Sequence, residues 1–157
     1  MKKLVLFTLL WLVSLMAQAN QEITLQVYKS PTCGCCELWL NHLQAQKIQY
    51  QATDLDYLGS LKNKYGIRHN YQSCHTAVSK GGFIFEGHVP AKFIKQFLAN
   101  ESLTANKDIL GLSVPAMPVG TPGMEIGDRF MPYQILLLKK DGSHQVFAEI
   151  NRYEEQF

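Results

Sequence analysis

The segment Ser30-Pro31-Thr32-Cys33-Gly34-Cys35-Cys36-Glu37 constrains this chain most, because of what flanks it. Before it, Ile23 to Tyr28 alternate apolar and polar side chains, the period of a half-buried strand. After it, Cys36, Trp39, Leu40 and Leu43 recur at i, i+3, i+4 and i+7, one face of a helix over Glu37 to Gln46. Three of the four cysteines therefore stand on a strand-to-helix turn. Unpaired N–H groups and the helix dipole favour anions there, so a thiol at that point ionises more readily and serves as nucleophile or metal ligand. Cys33 and Cys36 have the C-x-x-C spacing of a redox dithiol, and Cys35 is a thiol that a plain dithiol does not need.

The rest of the pattern extends this β-α start. Ile48 to Thr53 reads as a second strand, and Asp54-Leu55-Asp56 offers an N-cap to a helix marked by Leu58, Leu61 and Tyr65 and ended by Gly66. Thr76–Val78 and Phe83–Glu86 flank Lys80-Gly81-Gly82 as a hairpin. Pro90 opens a third helix that buries Phe93, Ile94, Phe97 and Leu98. Residues 101–132 read as irregular, and Tyr133–Lys139 and Ser143–Ile150 as a strand pair around Asp141-Gly142. The order β-α-β-α-β-β-α predicts an α/β, thioredoxin-like core over residues 22–100. A Pro/Gly/Met-rich loop and β-hairpin extend it over 101–157. In such a core the strand-to-helix turn carries the dithiol. The chain just before the third strand lies opposite it and usually carries a cis-proline; here Cys74 and His75 stand in that place.

Residues 1–19 read as a secretory signal peptide: Lys2 and Lys3, an apolar stretch from Leu4 to Met16, and Ala17-Gln18-Ala19 as the cleavage signature, with cleavage after Ala19. About 13 apolar residues fall short of the roughly 20 that span a bilayer. A periplasmic protein of residues 20–157, one domain with no membrane segment after cleavage, is the expectation. Removing 1–19 takes two of the 15 basic residues and none of the 13 acidic ones, which leaves the signs equal. With no basic run to follow a phosphate backbone, nucleic acid is not an expected partner. A monomer is expected.

Four cysteines in an exported chain can also form two structural disulfides. Crowding opposes this: adjacent Cys35 and Cys36 pair only with strain, and a Cys33–Cys36 bridge staples nothing distant. A clustered set of thiols in an oxidising compartment either cycles or holds a metal. Cys74 and His75 offer two further ligands, His88 beside Gly87 can point into a site, and Met117 and Met124 lie on the long loop Val114 to Glu125. Thiolate, imidazole and thioether together suit a soft ion, Cu(I) above all; zinc uses Cys and His but has little use for methionine. Several thiolates can also bridge several ions. His42, His69 and His144 read as solvated, and Met131 as packing.

The segments Cys33–Trp39 (C-G-C-C-E-L-W), Ser73–Ala77 (S-C-H-T-A), Glu86–Ala91 (E-G-H-V-P-A) and Gly111–Glu125 (G-L-S-V-P-A-M-P-V-G-T-P-G-M-E), in this order, resemble the CopG-type periplasmic copper-resistance proteins, long catalogued as a domain of unknown function. Ala116 departs from the glycine expected before Met-Pro. The resemblance implies a thioredoxin-like fold whose C-terminal extension contributes to a copper site, with cysteine sulfurs bridging metal ions. It implies Cys33, Cys35, Cys36 and Cys74 as principal ligands and His75, His88, Met117 and Met124 as secondary ones. It further implies a role in interconverting Cu(I) and Cu(II). Two other functions fit the residues: a thiol-disulfide oxidoreductase with Cys33 attacking and Cys36 resolving, and a non-catalytic copper carrier whose loop docks on a periplasmic efflux component.

Overall fold

The structure is a computed structural model that describes residues 22–157. The expected signal peptide lies outside the described residues. In chain order the elements are β1 (Thr24–Lys29), α1 (Gly34–Ala45), β2 (Gln49–Asp54), α2 (Gly59–Lys64), β3 (Thr76–Ser79), β4 (Ile84–Glu86), α3 (Ala91–Ala99), α4 (Glu101–Thr104), β5 (Ile109–Ser113), β6 (Tyr133–Lys139) and β7 (His144–Ile150), with 3-10 turns at His69–Tyr71 and Tyr153–Gln156. The strands form one mixed sheet in the order β2-β1-β3-β4-β5-β6-β7. β1 runs parallel to β2 and antiparallel to β3; β4 pairs antiparallel with β3 and parallel with β5. Among the described residues no helix is long and apolar enough to cross a membrane.

Side-chain alternation explains the layers. Leu25 and Val27 of β1, Phe85 of β4 and Ile135 and Leu137 of β6 point to the face covered by α1 and α3. There they meet Trp39, Leu40 and Leu43 and Phe93, Ile94 and Phe97. The intervening Ile84, Leu136 and Leu138 cover the opposite face with Ile67 and Tyr71. β4 and β6 are buried on both faces over Ile84–Phe85 and Ile135–Leu138, so those runs are apolar rather than alternating.

Three sequence expectations change. Residues 101–132 are not wholly irregular: they contain α4 and β5, and β5 is the interior strand that joins β4 to β6. Gly111 hides it, because a glycine inside a five-residue strand breaks the apolar pattern. It is required there: its φ is +150°, and a Cβ at this position would strike the backbone of Ile84. The helix after the cysteines begins at Gly34 rather than Glu37, which puts Cys35 and Cys36 inside its first turn. Asp54 does not cap α2, whose N-cap position is Leu58; its carboxylate instead accepts from Lys29 Nζ at 2.6 Å.

Candidate metal centre

Cys33 occupies the N-cap position of α1 without a side-chain capping bond. Its sulfur is bonded to that of Cys36 in a disulfide, with Cα atoms 5.3 Å apart. Cys36 is fully buried, whereas Cys33 and Cys35 are half-buried. Cys33 Sγ lies 3.5 Å from Cys35 Sγ. The start of α1 is tied to β1 by Lys29, whose buried ammonium reaches Glu37 at 2.6 Å as well as Asp54.

The chain before β3 faces this turn, as the sequence predicts for Cys74 and His75. Sulfurs of Cys33, Cys35, Cys36 and Cys74 form one close group, and Cys74, His75 and His88 a second; ligand atoms within each lie within 4.8 Å of one another. Cys74 belongs to both. Its Sγ is 3.2 Å from His75 Nδ1 and 3.1 Å from His88 Nε2. His88 Nδ1 donates to the Pro122 carbonyl at 2.7 Å, which leaves the Nε2 lone pair aimed at the sulfur. His75 stacks on Trp39 with centroids 4.2 Å apart and meets His88 edge-on.

Electrostatics suit neutral imidazoles and a proton-bearing thiol. Burial holds His75 well below the usual histidine range, helped by His88 and Lys62. Burial also lowers His88, with the Pro122 carbonyl and Glu125 opposing. Burial and the neighbouring Cys35 push the Cys74 thiol up to about 12. A bound cation would displace that proton and stabilise the thiolate. The fit to a soft ion rests on the donor set itself, thiols and imidazoles within reach of one another. His75 Nε2 is buried and has no hydrogen-bond partner. An orphaned polar atom of this kind costs about 1–3 kcal/mol, and it is the other ring nitrogen, Nδ1, that meets Cys74 Sγ at 3.2 Å.

The loop Val114–Glu125 reaches the same place through its backbone. Gly123 takes φ +88°, and a Cβ there would lie 2.7 Å from the carbonyl of Cys35 and from Trp39 N. The loop therefore seats directly on the first turn of α1, and half-buried Met124 follows at once. Met117 lies on the surface instead, 46% exposed, as does Met131 at 55%. Of the remaining histidines, His69 and His144 are exposed, and His144 Nδ1 is 2.8 Å from Tyr71 Oη. His42 is not simply solvated: it is half-buried and its Nε2 accepts from Ala91 N at 3.0 Å, at the start of α3.

Beneath Cys74 and His75 lies a set of residues that the sequence reading misses. Glu86, fully buried, accepts from Ser73 N at 2.7 Å and Thr76 Oγ1 at 2.6 Å and pairs with Lys62, itself 4% exposed. Both ends of the Ser73–Thr76 segment are thus held on one carboxylate. A glutamate closing the apolar strand Ile84-Phe85-Glu86 is the available signal. A surface groove between Ile23, Lys47, Lys80 and Lys95 is lined by neither cysteine nor histidine.

Residues 71–124 match a family described only as a protein of unknown function, DUF411. Two solved structures, described as copper resistance protein copG, form 2 and form 1, are each 35% identical to this chain. They superpose with a TM-score of 0.74, over 83% of this chain and 99% and 98% of theirs. No curated protein matches.

Proposed function

Because the chain belongs to the copper-resistance family of those copG structures and of the DUF411 model, we propose that it is a periplasmic copper-binding protein that takes up Cu(I) and handles it in copper resistance. The observation that carries this reading is the donor set: four cysteine sulfurs and two buried imidazoles in overlapping groups, one imidazole nitrogen unpartnered. Cys33, Cys35, Cys36, Cys74, His75 and His88 are the proposed ligands. Met124 is a further candidate through Gly123's seat on α1, and surface Met117 is better suited to ion entry. Copper held there would supply a one-electron couple, tuned by the thiolates and by the Pro122 carbonyl behind His88.

The thioredoxin-like reading of residues 22–100 is supported by the strand order β2-β1-β3-β4, by the parallel β1–β2 pair, and by a dithiol between β1 and α1. Residues 1–19 are taken as the leader and 20–157 as the mature, monomeric chain. Delivery to an efflux component belongs to the same reading.

Anaerobic titration of the reduced protein with Cu(I) against a competing chelator is the test. Tight uptake that collapses in a Cys35→Ser/Cys74→Ser variant is expected. Uptake no tighter than that of an unrelated thiol protein, or unaffected by the variant, defeats the reading. The Cys33–Cys36 disulfide favours a second reading, a thiol-disulfide oxidoreductase. Insulin reduction by metal-free protein separates the two, and no turnover is expected because Cys74-His75 stands where a docking proline would be.

A further inference from the structure

The two ligand groups share Cys74, yet they are not equally available. Within the four-sulfur group, Cys33 and Cys36 are bonded to each other. The thiolate is the metal ligand, and a disulfide sulfur has none to give. That group is therefore complete only when the bond is open. With the bond closed, the free donors are Cys35, Cys74, His75 and His88. Of these, Cys74, His75 and His88 form one close group, three ligands for a single ion, and Cys35 stands beside Cys74.

Resting on the copper reading above, we propose that the Cys33–Cys36 disulfide gates how many soft ions the site accepts. Closed, it leaves Cys74, His75 and His88 as a one-ion site, with Cys35 beside Cys74. Open, it adds two thiolates beside Cys35 and raises the capacity. Cys33 Sγ is already 3.5 Å from Cys35 Sγ, a separation from which two sulfurs can bridge ions.

Burial sets the route of opening. Cys36 is inaccessible and Cys33 is half-buried, so an external thiolate attacks Cys33 Sγ. The bond to Cys36 breaks and a mixed disulfide forms on Cys33. Cys36 leaves as a thiolate in the first turn of α1, where that charge is favoured. A second external thiolate attacks its partner's sulfur in the mixed disulfide, forms the external disulfide and releases Cys33 as a thiolate. Two external thiols are oxidised and one protein disulfide is reduced. The reverse exchange with an external disulfide closes the gate.

Silver(I) is the probe, because it has the charge and softness of Cu(I) but does not give an electron to a disulfide. Native mass spectrometry reads ions per chain for oxidised and for reduced protein without oxygen. Alkylation in parallel counts free thiols, two expected when closed and four when open. One silver ion is expected on the oxidised chain and two or more on the reduced chain. A Cys33→Ser/Cys36→Ser variant is expected to hold one under both conditions. Equal counts for the two wild-type forms, no ion on the oxidised form, or more than one on the variant each overturn the gate. If the variant does not fold, the oxidised and reduced wild-type pair still decides. Equal counts with tight Cu(I) uptake by the reduced form remove the gate and leave the copper reading standing; no soft ion on the reduced form removes both.

Discussion

Ala116 has a φ of +58°, a left-handed conformation in a residue with a Cβ. Its neighbours explain why it is held there: Ala116 N donates to the Gln72 carbonyl at 3.3 Å, and Ser73 Oγ donates to the Ala116 carbonyl. The residue fastens the loop to the strand entry that carries Cys74. Left-handed backbone costs a non-glycine residue about 1–2 kcal/mol, and glycine gives back about 0.4–1 kcal/mol through its freer unfolded chain. The first term wins. Ala116→Gly is expected to stabilise the protein by about 0.5–1 kcal/mol, raising Tm by roughly 2–3 °C; calorimetry showing a lower Tm contradicts this. His42 gives a pH signature at the same scale. Burial holds its pKa below the ordinary value of about 6.5; Glu125 opposes this and Lys95 adds to it. The folded chain therefore binds fewer protons than the unfolded one below that pH. The stability is fully present above about 6.5 and is lost as pH falls toward the folded value. Protonation also removes the acceptor for Ala91 N–H. His75 and His88 contribute a slope of the same sign, so the comparison with the variant isolates His42. His42→Gln keeps an acceptor without titrating, so urea unfolding between pH 7 and 5 is expected to show a flatter loss of stability than wild type.

At the scale of elements, the site depends on how β3 and β4 meet. Glu86 closes β4, and its carboxylate holds Ser73 and Thr76 on either side of Cys74 and His75. Lys62 of α2 neutralises it. Burial pushes the Glu86 carboxyl up, and Lys62, Thr76 and Ser73 draw it back. Removing one buried partner strands the other, at about 3–5 kcal/mol, whereas removing both charges is far milder. Lys62→Met is expected to lose stability of that order by chemical denaturation. Lys62→Met/Glu86→Gln is expected to recover most of it, since the amide oxygen still accepts from Ser73 N or Thr76. A double variant as unstable as the single would show that the pair is not the cause. These elements also mark how far the sequence can be read. β1, α1, β2 and α3 are legible because each carries one clean period, and the four cysteines, His75 and His88 stand out as candidates because their donor atoms are recognisable residue by residue. β5 is not, because Gly111 interrupts it for the sake of a contact with Ile84, which is distant in sequence. Lys62 and Glu86 are hidden for the same reason: a buried charge is recognisable only when its partner, 24 residues away, is known.

Across the whole molecule, the C-terminus closes the site from behind. The core runs without a break from Leu25 and Trp39 to Ile135 and Ile150, so the extension shares one interior with the dithiol half. Gln156, fully buried in the final turn, donates to the Gly120 carbonyl at 3.0 Å and accepts from Tyr133 Oη at 2.7 Å. Gly120 begins the tight turn that presents the Pro122 carbonyl to His88 and seats Gly123 on Cys35. The last residues of the chain thus fix the tautomer of an imidazole beside Cys74, at two removes from any ion. Gln156→Leu keeps the apolar packing but leaves the Gly120 carbonyl and the Tyr133 hydroxyl without partners, a loss of about 1–3 kcal/mol in stability. Loss of an outer support of this kind typically weakens metal binding 10–100-fold. Gln156→Leu is therefore expected to fold, to unfold at a lower Tm, and to release Cu(I) to a competing chelator at roughly tenfold lower concentration than wild type. A Tm loss with unchanged Cu(I) affinity would place the loop outside the proposed metal centre.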